Sequence, residues 1–122
     1  MMTTEKSVCF LYRTKTISAA DEAEMERQRD ACLQFAEEQG WIPIREFWAS
    51  EDSEGSTVNR DDPLFELRAG AEKGKFHVLL VSEFARIGRI PLESSFSAGF
   101  FERHGVEVWS VNQGHIGELL RK

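Results

Sequence analysis

Apolar runs and helical stripes alternate along this chain. Residues 7–12, SVCFLY, form a short apolar run suited to a β-strand. From about Asp21 to Gln39 the period becomes helical, with Met25, Gln28, Cys32 and Phe35 on one stripe, and Gly40 supplies a stop. WIPIREFWA, residues 41–49, reads as a second strand with Pro43 near its start. The stretch SEDSEGSTVNRDD, 50–62, is too rich in Ser, Asp, Glu and Gly to be core. Asp62 followed by Pro63 has the form of an N-cap with proline at the first helical position, opening a helix that ends near Gly74. FHVLLVS, 76–82, is a nearly continuous apolar run, as expected of a strand covered on both faces. Pro91 opens a third helix that carries Leu92, Phe96 and Phe100 at four-residue spacing and stops at Gly105. VEVWSV, 106–111, completes the series as a fourth strand.

This alternation implies right-handed crossovers and a three-layer α/β fold. The expected sheet is mainly parallel, four- to five-stranded, with helices on both faces. The 122 residues fit a single domain, 1–122. In open sheets of this kind ligands bind outside the carboxyl ends of the strands.

Composition narrows the function classes. With 41% hydrophobic and 30% charged residues the chain reads as an ordinary globular protein. It has no apolar stretch of membrane-spanning length and no export signal, so the expectation is a cytoplasmic protein without membrane contact. Cys9 and Cys32 then read as reduced core residues. His77, His104 and His115 are scattered and no Cys-x-x-Cys occurs, so neither a metal nor another cofactor is expected. A net charge of −6 argues against a general basic surface for nucleic acid. Any anion site must be local.

Four arginines fall at or just past the carboxyl ends of the expected strands. Arg13 closes the first strand with Lys15 on the same side, since residues two apart share a face. Arg60 lies in the loop after the second strand, and Arg86 and Arg89 follow the third at a spacing that would put both on one face of a helical turn. Arginine suits phosphate because its planar fork donates two charge-assisted hydrogen bonds and keeps its proton. A basic pair alone is more often a solvated surface, whereas four arginines at one sheet edge of an acidic protein point to a phosphate cage. Gln28 is polar yet sits on an inward stripe, either reaching solvent past small neighbours or bonding to the site region. The SEDSEGS segment reads as a solvated turn or as a loop over a ligand.

These residues resemble the catalytic domain of the serine recombinases, the resolvase and invertase family. The resemblance rests on LYRTKT, on MERQRDACLQFAEEQGW, on the loop ending EGSTVNRDDPLFELRAGAEKGKFHVLLV, on FARIGR and on HGVEVWSVNQG, in that order, over roughly residues 8–114. It implies a resolvase-like fold and a role in site-specific DNA recombination. In the family a serine attacks a DNA phosphodiester to leave a phosphoserine link, arginines neutralise the phosphate, no metal is used, and subunits of a tetramer exchange strands. Carried onto this chain, the implied site residues are Arg13, Lys15, Gln28, Glu51, Arg60, Arg86 and Arg89. The implied partners are DNA, held weakly through its phosphate backbone, and either further copies of the chain or a recombinase subunit.

The departures from the pattern change the expected chemistry. Lys15 stands where the nucleophilic serine belongs, Ala85 where the aspartate before the paired arginines belongs, and Glu51 is at best the acid after the second strand. The long helix and DNA-binding domain that follow in the family are expected to be absent. The expectation is therefore a catalytically impaired domain, either a degenerate recombinase or a regulator that binds DNA or a recombinase subunit. Two alternatives stand beside it: an active strand-cleaving domain using Thr16 or Ser56, and a flavodoxin-like module that binds another phosphorylated ligand.

Overall fold

The computed structural model describes residues 5–15, 18–50 and 62–120. Its elements run β1 (Ser7–Thr14), α1 (Ala19–Gln39), β2 (Ile42–Ser50), α2 (Pro63–Glu72), β3 (Val78–Val81), a 3₁₀ turn (Phe84–Arg86), α3 (Pro91–Arg103), β4 (Glu107–Ser110), β5 (Gly114–His115) and α4 (Ile116–Leu120). The strands form one sheet in the order β2-β1-β3-β4-β5. The first four are parallel, and β5 returns antiparallel to β4. This is the expected α/β architecture, with β5 added by a tight turn that the sequence pattern did not mark.

Local chemistry explains the element ends. The Ser18 side chain accepts from Asp21 N to cap α1, and Gly40 ends that helix in the left-handed region at φ 75°, where glycine avoids the Cβ clash. Asp62 caps α2 by accepting from Leu64 N, with Pro63 behind it in the first turn.

The sheet separates two cores. Alternate residues of β1 face opposite ways, so Val8, Phe10 and Tyr12 pack with Cys32 and Ala36 of α1. Cys9 and Leu11 pack on the other side with Leu64, Leu67, Ala98 and Phe101 from α2 and α3. All four residues of β3 are buried, as its unbroken apolar run implies. The two free cysteines thus lie in different layers. Burial pushes the Cys9 thiol up to about 11 and the Cys32 thiol up to about 12.

The third helix departs from its sequence pattern. Leu92 and Phe96 are exposed (75% and 58%), and the side laid on the core is Ser94, Ser97, Ala98 and Phe101. Small side chains let the helix approach closely, and the serines find partners. Ser94 Oγ accepts from Gly88 N, and Ser97 Oγ accepts from Arg68 Nη2.

At the edge of the sheet formed by the described residues, β2 carries a bulge. Val8 pairs with Pro43 but Cys9 pairs with Arg45, leaving Ile44 as the extra residue.

Candidate active site

The carboxyl ends of β1 and β3 open into a cavity of about 400 Å³, lined by Arg13, Lys15, Ala85, Arg86, Arg89 and their neighbours. Four of the candidate site residues, Arg13, Lys15, Arg86 and Arg89, therefore share one cavity with Ala85. Arg60 and Glu51, with the alternative nucleophiles Thr16 and Ser56, lie outside the described residues.

Arg13 is the most buried of these cations, with 3% of its surface exposed. It belongs to the α2–α3 side of the sheet, like Cys9 and Leu11. Its guanidinium meets the Asp62 carboxylate as a bidentate pair, both bonds 3.0 Å. Arg13 Nε also donates to the Arg86 carbonyl at 3.2 Å, and Nη2 to the Ile87 carbonyl at 3.1 Å. Burial alone would push the Asp62 carboxyl up. Hydrogen bonds from Arg13 and from Leu64 N, with the charges of Arg13 and Arg89, outweigh that and hold it below the usual range.

Gln28 reaches the same strand end from the opposite face. Its Oε1 accepts from Arg13 N and its Nε2 donates to Arg13 O, both at 2.9 Å. A helix-borne amide thus extends the ladder at the last turn of β1, which explains a buried polar residue on an inward stripe. Of its two sequence readings, the solvent-facing one is excluded.

Arg86 bridges the two sides. It donates from Nη1 to Arg13 O at 3.3 Å and from Nη2 to Glu24 Oε2 at 3.1 Å. Its Nε lies 3.2 Å from Glu83 Oε1, an ion pair without hydrogen-bond geometry. Arg86 and Arg89 do not share a helical turn as their spacing suggested. The 3₁₀ turn ends at Arg86, and Arg89 sits in the segment before Pro91, where proline forces Ile90 into an extended conformation. There Arg89 N donates to Glu93 Oε1 at 2.7 Å, and Arg89 Nε lies 3.5 Å from the same oxygen. Lys15 is exposed at the mouth.

Sequence reasoning missed the acids. Asp62, Glu24, Glu83 and Glu93 each engage a site arginine. Only Asp62 left a trace, as a cap beside Pro63; its Oδ1 accepts from both Leu64 N and Arg13 Nη2, a double use that the capping pattern does not reveal. The arrangement is a cationic cavity whose charges are already partly balanced from within. Among the described residues no group of three or more His, Cys, Asp or Glu could hold a metal ion, and no helix is long and apolar enough to cross a membrane.

Comparison with known proteins agrees with this architecture. The family described as Resolvase, N terminal domain, matches residues 11–120. A solved structure of the N-terminal catalytic domain of TP901-1 integrase is similar at TM-score 0.76 and 21% identity, covering 94% of this chain and 88% of that one. A resolvase family site-specific recombinase from Streptococcus pneumoniae is similar at TM-score 0.76 and 17% identity, covering 96% and 89%. The C-terminal catalytic domain of ISC1926 TnpA, an IS607-like serine recombinase, follows the same fold at TM-score 0.68 and 18% identity, covering 94% and 75%. A search of curated protein sequences finds no match.

Proposed function

The chain belongs to the resolvase N-terminal-domain family, and from that membership we propose that it engages DNA phosphate in site-specific recombination without itself forming the covalent protein–DNA link. The observation that carries this reading is the cavity at the carboxyl ends of β1 and β3, where Arg13, Lys15, Arg86 and Arg89 stand together. A phosphodiester placed there accepts from Lys15, Arg86 and Arg89, which stabilise its charge through short, oriented bonds. Arg13 contributes shape and field, since its fork is taken by Asp62.

The chemical step is where this chain departs. Attack on phosphorus needs an oxygen lone pair delivered in line with the leaving 5′ or 3′ oxygen. Lys15 at the expected position presents an amine, which in its protonated form has no lone pair to give. Ala85 removes the acid expected beside the paired arginines. What remains is recognition of a phosphate in a partly self-neutralised cage, which fits a regulatory subunit acting beside a competent recombinase or further copies of this chain.

The test is a denaturing gel of the full chain incubated with labelled nicked and duplex DNA. No protein-linked band is expected from the unmodified chain or from Lys15→Ser. A band from the unmodified chain that disappears on Thr16→Ala or Ser56→Ala would overturn the reading and assign the nucleophile to that residue.

A further inference from the structure

Between β2 and α2 lies a second cavity of about 320 Å³, within the size range of small-molecule pockets. It reaches Cys9, which lies four residues before Arg13 on the same face of β1, about 13 Å along the strand at 3.3 Å per residue. None of its lining residues belongs to the cavity described above.

Three features make it a site rather than a packing gap. The first is its walls: Phe47, Phe76 and Leu67 supply apolar faces, and the bulge turns Ile44 toward the same space. The second is Gly70 on α2. A Cβ there would stand 3.3 Å from Phe76 Cε1, so glycine lets the cleft run up to the helix without pushing that ring. The third is charge. Arg45, Lys73 and Lys75 line the cavity against a single carboxylate, Glu66, a local excess of two positive charges on a chain of net −6. Arg45 is held in place by its ion pair with Glu66 and by lying 4.4 Å over the Phe47 ring centroid. Lys73 and Lys75 have no acidic partner among the described residues. The Cys9 thiol, raised by burial, adds no negative charge at neutral pH.

We propose that this cleft binds a small organic anion in solution, with an aromatic or short acyl body against Phe47, Phe76 and Leu67 and its carboxylate, sulfonate or phosphate at Lys73 and Lys75. An apolar body alone would not need three cations, and inorganic phosphate alone would not need the apolar walls.

The probe is naphthalenesulfonate, titrated into the uniformly ¹⁵N-labelled full chain and followed by amide chemical shifts. Saturable shifts are expected at Gly70, Lys73 and Phe76, with binding at least about tenfold weaker for the neutral analogue naphthylmethanol, a factor equal to about 1.4 kcal/mol. The surface variant Lys73→Glu/Lys75→Glu should weaken binding by a similar factor while leaving the spectrum folded, and Gly70→Leu should abolish it. Since Gly70→Leu also strains Phe76, the charge variant decides the matter if that protein does not fold. The proposal fails if naphthylmethanol binds as well as the sulfonate, or if the charge variant binds unchanged. It also fails if the shifts appear only around Arg13 and Arg86, or if none saturates at millimolar probe.

Discussion

Replacing Asp62 by asparagine should destabilise this protein far more than a cap substitution would. The side chains of Arg13 and Asp62 are only 4% and 12% exposed, so their bidentate pair is a buried one. Removing one partner of such a pair leaves the other charge stranded, at a cost of about 3–5 kcal/mol. Arg13 keeps its bonds to the Arg86 and Ile87 carbonyls, which places the expected loss for Asp62→Asn near the lower end, about 3 kcal/mol. Asparagine still caps α2, so Asp62→Ala should cost about 1 kcal/mol more. The pH dependence has a definite sign. The folded-state carboxyl of Asp62 lies below its unfolded value, so its stabilisation is complete above the unfolded value, about 4, and is lost as pH falls through the lower folded one. Urea unfolding at neutral pH and at steps below about pH 4 measures both effects. The gap between the wild-type chain and Asp62→Asn should be widest at neutral pH and close on acidification. A loss under about 0.5 kcal/mol at neutral pH, the size of an ordinary surface substitution, would refute the idea that this pair fastens the site.

Other outcomes follow from the same geometry. Gln28→Leu removes both bonds to Arg13, stranding its buried N–H and leaving its carbonyl only the bond from Arg86, so thermal or urea unfolding should show a loss of about 1–3 kcal/mol; a change within error would mean that solvent reaches the end of β1. Both thiols should resist a disulfide-exchange reagent at neutral pH in the native chain and react fully in denaturant, since burial raises them to about 11 and about 12. Rapid labelling of Cys32 without denaturant would contradict the packing of its layer. DNA binding by the chain alone should be weak and insensitive to sequence, with a salt slope of about −0.9 per neutralised phosphate and few phosphates involved. Tight, sequence-dependent binding at physiological salt in a titration of random and palindromic duplexes would require a reading surface elsewhere.

The sequence made the strand and helix series legible wherever one residue's local chemistry decides the outcome. Gly40, the Asp62–Pro63 step and the unbroken VLLV of β3 are of this kind. Direction was harder to read. Leu92 and Phe96 have the spacing of an apolar face, but spacing does not say which neighbour accepts that face, and here the close approach of Ser94, Ser97 and Ala98 to the core turned it outward. The candidate site was legible in its cations because arginines after strand ends are placed by topology alone. Its acids were not. Glu24 meets Arg86 across 62 positions and Asp62 meets Arg13 across 49, separations at which no local pattern survives. The segment carrying Glu51 and Arg60 lies outside the described residues, so Glu51 stays with the resemblance alone and Arg60 with the resemblance and its place after the second strand.

The bulged outer strand has a consequence for how the molecule behaves in a crowd. Among the described residues β2 is the sheet's outermost strand, nine residues long, and it exposes Ile42, Ile44 and Trp48. Such a border invites a foreign strand to add to it. Three things interrupt the template: Pro43 offers no N–H, the extra residue at Ile44 breaks the spacing, and Arg45 and Glu46 are tied sideways to Glu66 and Arg29. The last of these guards is electrostatic and half open to solvent, so added salt weakens it while leaving the apolar border untouched. Concentrated solutions of this protein should therefore stay clearest at low ionic strength and cloud as salt is raised, from this border inward.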